Sequence, residues 1–313
     1  MIYINLLKRG LLLCGIATLV LSCAKNSDVF TQYFPIDELF VDIKEEPTTV
    51  DFVQEESTTV YGKDGFQIEV QANSLVSSDG SLPEGLISMS YRHLTSIADY
   101  FSYGLNTQSQ GLILDVSSML LVSFTQDDNR LQPSEASDDA VQVFVPATVS
   151  AAKVNLYEWS DSGWRMLTND LELISYPTKI DGQDVLAEGY LLTAPRAGWL
   201  AIGSPIMKSD AESTVTVMLP EDHNNVNTVV YATLSGNKSL ISFEYDSEKA
   251  LFYAHIGGVS TNDALDLFSV TAKGQEDRYD FSTKTLELAT DSQVSLTPSA
   301  VSIKDITSYI NSL

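Results

Sequence analysis

The sequence predicts an all-β protein made of two β-sandwich domains followed by a short C-terminal helix. Three observations support this fold class. Apolar and polar residues alternate over strand-length stretches, Asp-Gly turn signals separate these stretches, and helical periodicity is confined to the C-terminus. We divide the 313 residues into a signal peptide (1–22), a tether (23–55) and two domains (56–207 and 208–313).

The first 22 residues have the layout of a secretory signal peptide, in which basic residues precede an apolar stretch. Lys8 and Arg9 are followed by 13 uncharged residues, from Gly10 to Ser22, which is shorter than the roughly 20 that a membrane-spanning helix needs. The sequence Val20-Leu21-Ser22-Cys23 resembles a lipobox, the site at which bacterial lipoproteins are cleaved before a cysteine. An ordinary secretory signal followed by a chance cysteine is the alternative.

The lipobox resemblance implies that Cys23 is acylated and holds the protein on a lipid bilayer. Two or three acyl chains make such an anchor stable, because one chain alone binds a membrane only marginally. Ala24 stands where an Asp would favour the inner membrane, so we expect an outer-membrane location, facing the periplasm or the cell surface. The other cysteine, Cys14, lies in the signal peptide. The cleaved chain would then have no disulfide and no thiolate nucleophile.

The chain carries a net charge of −24, with 42 acidic and 18 basic residues. Such a surface repels phosphate backbones, so nucleic acid is excluded as a partner. Solubility outside the cell explains the charge, and calcium binding by the loops at 127–129 and 135–139 is the alternative. Neither loop has the ligand spacing of a calcium motif, and we predict no metal or cofactor.

The two domains follow from the alternating stretches and the turns between them. Residues 24–55 have few paired apolar positions and two prolines, so we predict a tether with one strand near 49–53. Turn signals then separate alternating strands up to a boundary near Pro205, where a polar run interrupts the pattern before it restarts. This spacing favours sandwiches of the Ig/transthyretin-like kind. The final helix has apolar residues at Ile303, Ile306, Ile310 and Leu313.

The stretch from Gly65 to Tyr100 resembles a recurring domain of Bacteroidota lipoproteins. The pattern is a glycine, an alternating strand, Ala-Asn-x-Leu-Val, an Asp-Gly turn, a glycine and a second alternating strand. The matching residues are Gly65, Ile68, Val70, Ala72, Asn73, Leu75, Val76, Asp79, Gly80, Gly85, Ile87 and Tyr91. The family's usual Ile-Pro before Ala-Asn is replaced by Val70-Gln71. The resemblance covers residues 57–205 and implies a β-sandwich with no known activity.

We find no catalytic constellation, and we predict that the protein is not an enzyme. His93, His223 and His255 are far apart, and neither a nucleophile motif nor a metal-binding histidine spacing occurs. The segment 97–106 is the candidate binding segment. Its aromatic residues Tyr100, Phe101 and Tyr103 would contact a glycan or a protein partner, unless they fold back over the edge of the sandwich.

The sequence is compatible with three functions. The first is a non-catalytic outer-membrane or surface lipoprotein that binds or spaces a partner. The second is a fimbrillin-like pilus anchor or tip subunit; Arg92, the first arginine after the signal, lies in a predicted core strand, which disfavours a polymerising pilin released by cleavage there. The third is a glycan-processing enzyme, which three tryptophans alone hardly support.

Overall fold

The computed structural model describes residues 36–137, 139–147, 153–160, 163–193, 196–209, 212–261, 263–273 and 279–313. Of these residues, 55% lie in strands and 9% in helices, which confirms the all-β class. The predicted C-terminal helix is also confirmed. The signal peptide and Cys23 lie outside the described residues.

The described residues form 23 strands and three α-helices, numbered here in chain order. The helices are α1 (Asp37–Ile43), α2 (Ile97–Ser102) and α3 (Ile303–Ile310). The strands up to Pro205 are β1 (Thr48–Val53), β2 (Thr58–Tyr61), β3 (Gln67–Val70), β4 (Leu75–Val76), β5 (Leu86–Leu94), β6 (Gln108–Ser109), β7 (Leu112–Gln126), β8 (Asn129–Pro133), β9 (Val141–Pro146), β10 (Asn155–Ser160), β11 (Gly163–Thr168), β12 (Ile174–Ile180), β13 (Gln183–Thr193) and β14 (Gly198–Pro205). The later strands are β15 (Glu212–Met218), β16 (Thr228–Leu234), β17 (Ile241–Ser242), β18 (Glu244–Asp246), β19 (Leu251–Gly257), β20 (Ala264–Ala272), β21 (Tyr279–Glu287), β22 (Asp291–Ser295) and β23 (Ser299–Val301).

Two sheets enclose the core of the first half of the chain. One has the order β1-β5-β7-β14-β10-β11, and the other has the order β12-β13-β9-β3-β2. Alternation along the strands sends Ile87 and Leu200 of the first sheet, and Ile68 and Val143 of the second, into one buried cluster. Burial of these side chains is the main force that holds the two sheets together.

The second half repeats this arrangement with strands β15 to β23. Strands β18, β19, β15 and β22 lie side by side, and the facing sheet has the order β17-β16-β20-β21-β23. Val215 and Phe252 from one side meet Val230 and Leu267 from the other in a second buried cluster.

A third apolar core, here called the shared core, joins the two halves. It contains Met119 from the first half, Phe268 from the second, and residues of all three helices, including Leu39, Phe101 and Ile306. Strand β7 is 15 residues long, and its first residue, Leu112, also pairs with Gly257 of β19 in the second half. The two halves therefore pack against each other over a continuous buried surface.

The prediction of a tether is wrong for residues 36–55, because these residues belong to the folded body. Ile36 and Leu39 are buried in the shared core, and β1 pairs with β5 with Phe52 opposite Ile87. Apolar residues at positions 36, 39, 40 and 43 give α1 one apolar face, a pattern only two turns long. The strand predicted near 49–53 is β1.

Candidate functional site

Two of the three predicted contact residues, Tyr100 and Phe101, are buried and unavailable to a ligand. Reciprocal hydrogen bonds between Ser96 and Asp99 cap the start of α2, and the helix then directs Tyr100 and Phe101 into the shared core. The Tyr100 hydroxyl donates to the Val116 carbonyl at 3.1 Å. Of the two alternatives for this segment, folding back onto the protein is the correct one for these two residues, because a short helix points both of them into the core.

Tyr103, just beyond α2, is the one predicted contact residue that reaches the surface. Its ring meets Trp199 edge-on at 5.1 Å between centroids, and the Lys44 ammonium lies 5.6 Å from the ring centre. Its hydroxyl donates to the Glu45 carbonyl. Partial burial raises the pKa of the Tyr103 phenol, so the hydroxyl stays protonated and remains a donor.

A cleft of about 680 Å³ lies close to Tyr103, at the ends of strands β8, β10, β11 and β14. We call it the tryptophan cleft, and its principal lining residues are Gln132, Glu135, Glu158, Trp159, Arg165, Arg196 and Trp199. These residues are far apart in the sequence, and the sheet brings them together. The volume is within the range of sites for small molecules.

The tryptophans occupy one side of this strand end. The ladder between β10 and β14 pairs Glu158 with Leu200, and continuing it by one residue sets Trp159 opposite Trp199. Trp164 is buried, donates its indole N–H to the Asn106 carbonyl at 2.6 Å, and contacts Trp159 edge-on at 5.1 Å. Trp159 remains 38% exposed, so its indole is available to a ligand.

Charged groups line the opposite side of the same strand end. Glu158, with a side chain only 10% exposed, forms an ion pair with Arg165, whose side chain is 54% exposed. Gln132 accepts a hydrogen bond from the Ala197 N–H at 3.0 Å, which fixes the backbone where β14 begins. The neighbouring Arg196 is exposed. The tryptophan cleft thus combines an aromatic surface with planar charged groups.

A second cleft, of about 690 Å³, contains His93 and is called the histidine cleft; Tyr61, Lys63, Phe66, Tyr91, Arg92 and Lys179 also line it. Phe66 stacks on His93 at 4.9 Å and on Tyr91 at 5.9 Å between centroids. The His93 Nε2 lies 2.6 Å from the Ser118 hydroxyl oxygen. Burial lowers the pKa of His93 to about 4, so its imidazole is neutral at pH 7.

Two of the cationic side chains that line the histidine cleft already have partners within the protein. Arg92 forms an ion pair with Glu45, and the Lys179 ammonium covers the Tyr61 ring at 5.2 Å from its centre. The hydrogen bond between His93 and Ser118 resembles that between a catalytic base and a serine nucleophile, but Ser118 is buried. A substrate carbonyl therefore cannot reach the hydroxyl in this conformation, and the tryptophan cleft is the better candidate site.

The other candidates from the sequence have structural explanations where they are described. Asp127 and Asp128 form the two-residue turn between β7 and β8, both with positive φ. His223 lies between Asp222 and Asp280, and His255 lies 3.3 Å from the Thr214 hydroxyl. In the described ranges, we find no convergence of three or more metal-ligating side chains of the His, Cys, Asp or Glu type. Asp138, in the second acidic loop, lies outside the described residues.

The comparisons with known proteins give no match. No protein-family model, curated protein or solved structure matches the chain. Within the part of the chain that the structure describes, no helix has both the length and the apolar character required to cross a membrane.

Sequence reasoning missed the polar half of the tryptophan cleft. Strands β10 and β11 pair as a hairpin with Trp159 opposite Trp164. Glu158 lies on the same side of strand β10 as the buried Leu156, which is two residues earlier. A carboxylate on a buried side of a strand is unusual, and this feature of the sequence could have indicated the site. Arg196 and Gln132 had no comparable signal, since tertiary structure alone places them together.

Proposed function

We propose that this protein is a non-catalytic lipoprotein of the bacterial outer membrane, anchored through acylated Cys23, which binds a glycan in the tryptophan cleft. The anchor is supported by the basic start, the short apolar stretch and the lipobox resemblance. We further propose that the paired sheets are two sandwich domains of the Ig/transthyretin-like kind.

The observation that carries the binding proposal is that Trp159 and Trp199 line the same cleft as the ion pair of Glu158 and Arg165. Indole faces stack on the C–H surfaces of pyranose rings, whose edges present hydroxyl groups. The half-exposed guanidinium of Arg165 can donate hydrogen bonds to these hydroxyls, whereas Glu158 is nearly buried and holds Arg165 in place. A few polar groups beside an apolar wall are typical of small-molecule sites.

Glycan-array screening followed by titration calorimetry tests this proposal on the acylated chain in detergent. Trp159→Ala should weaken binding of the selected glycan at least tenfold, because the exposed indole is removed. Tyr61→Ala is the matched control, since Tyr61 is 41% exposed and lines the histidine cleft instead. Loss of binding only in the Tyr61 variant would move the site to the histidine cleft. Absence of binding to every glycan would refute glycan recognition.

The anchor is tested separately in cells. Mass spectrometry of the N-terminal peptide should show an acylated Cys23 in the wild type, and Cys23→Ala should release the protein from the membrane fraction. Protease treatment of intact cells then shows which side of the outer membrane the body faces. Continued membrane attachment of the Cys23 variant would exclude the proposed anchor.

A further inference from the structure

We propose that the tryptophan cleft selects glycans that carry a carboxylate, such as oligosaccharides of uronic acids, and that Arg196 binds this carboxylate. The inference rests on the proposed glycan-binding function and adds the class of sugar and the residue that determines specificity.

Among the arginines that line the two clefts, ion pairing singles out Arg196. The chain has 42 acidic and 18 basic residues, so carboxylate partners are plentiful. Arg92 is paired with Glu45, Arg165 with Glu158, and Lys179 with Asp184. Arg196 lines the tryptophan cleft, is exposed, and has no ion pair within the described ranges. Its guanidinium is therefore free to bind an acidic ligand.

The carboxylates of the cleft do not remove this preference. Glu158 is nearly buried, and the charge of Arg165 offsets its own. Glu135, also on the lining, is exposed and is not joined to Arg196 by an ion pair. A guanidinium binds a carboxylate through two parallel hydrogen bonds, a geometry that an ammonium group lacks. An acidic sugar bound next to Arg196 gains this interaction, whereas a neutral sugar does not.

The local backbone keeps Arg196 at the site. The hydrogen bond from the Ala197 N–H to Gln132 holds the residue that follows it, and Trp199 lies two residues further on in β14. The point at which the Arg196 side chain leaves the backbone is therefore fixed relative to the indole of Trp199. Arg196, Trp159 and Trp199 line the same cleft, so a sugar bound on the aromatic surface lies beside the arginine.

The test compares oligogalacturonates and oligoglucuronates with their methyl esters, which keep the rings and remove the charge. Calorimetry with the acylated full chain at low salt should show the acid form bound at least tenfold more tightly than the ester. Arg196→Gln should abolish this ratio, and Arg196→Lys should retain only part of it. Glu135→Gln, the matched control, should increase the affinity for the acid form. Added salt should reduce the ratio.

The outcomes separate this inference from the function on which it rests. If acid and ester bind equally, or if Arg196→Gln keeps the tenfold ratio, the carboxylate inference is wrong while glycan binding stands. If only neutral glycans bind, the same conclusion follows. If no glycan binds, both the proposed function and this inference are overturned. Because Arg196 is exposed, thermal unfolding of its variants should match the wild type.

Discussion

Lowering the pH from 7 to 5 should destabilise this protein through His93, and His93→Gln should remove that part of the pH dependence. The imidazole stacks on Phe66 and bonds Ser118, and burial lowers its pKa from the ordinary value of 6.5 to about 4. As the pH falls below about 6.5, His93 therefore binds a proton in the unfolded chain but stays neutral in the folded chain. Stability is lost progressively until the pH reaches the folded pKa of about 4.

The magnitude follows from the distance between the two pKa values. Protonating the unfolded chain but not the folded one costs about 3 kcal/mol at pH 4 and below, and about 2 kcal/mol of this falls between pH 7 and pH 5. Gln does not titrate, and its amide can still bond the Ser118 hydroxyl. The other titratable groups are the same in both proteins, so the difference between the two pH profiles measures the contribution of His93, including the effect of the nearby Asp64 and Asp99 carboxylates.

Urea unfolding at pH 7, 6 and 5 measures this difference. The wild type should lose about 2 kcal/mol more than His93→Gln between pH 7 and pH 5, with the same dependence on urea concentration in both proteins. Parallel pH profiles for the two proteins would refute the reasoning, because they would mean that His93 is not desolvated in the folded state.

Three further predictions concern packing. Leu39→Ala should lower the free energy of unfolding, measured by urea titration, by about 2–4 kcal/mol, because Leu39 is fully buried. Val41 is 75% exposed on the same helix, so Val41→Ala should lower it by less than about 0.5 kcal/mol. Equal effects would mean that α1 does not pack on the body. Gly189→Ala should destabilise more than Gly236→Ala, measured by thermal unfolding. At Gly189 the added Cβ would meet a carbonyl oxygen at 2.4 Å, whereas at Gly236 it would meet nothing within 4 Å and add only the strain of a left-handed backbone with φ +82°; the reverse order would contradict the packing around β13. Phe268→Ala should cost about 3–5 kcal/mol and lower the stability of both halves in calorimetry; a loss confined to the second half would contradict the shared core.

The strands were predictable because their signals are local. The alternation of apolar residues at Phe66, Ile68 and Val70 indicates a strand with one buried side. Asp181-Gly182 forms a two-residue turn between β12 and β13, because both residues adopt positive φ. The periodicity of α1 covers two turns, too few to separate from a loop. The sequence could not show whether the aromatic side chains at 100–103 are exposed or buried, because exposure depends on tertiary packing. The tryptophan cleft could not be predicted either, because its lining residues are far apart in the sequence and come together only in the folded protein.

The boundary predicted near residue 207 falls between β14 and β15, yet the packing does not separate the chain there. Tyr231 and Phe268 face away from the core of the second half and are nevertheless buried, because Leu94 and Met119 of the first half lie against the same shared core. If the halves were separate, each would expose this apolar surface to water, at a cost proportional to its area. No cysteine occurs among the described residues, so no disulfide there joins the halves. Apolar burial in the shared core links the halves, together with backbone hydrogen bonds such as that from the Thr107 N–H to the Leu240 carbonyl at 2.7 Å. The change of pattern near 207 marks the start of a new set of strands within one packed body.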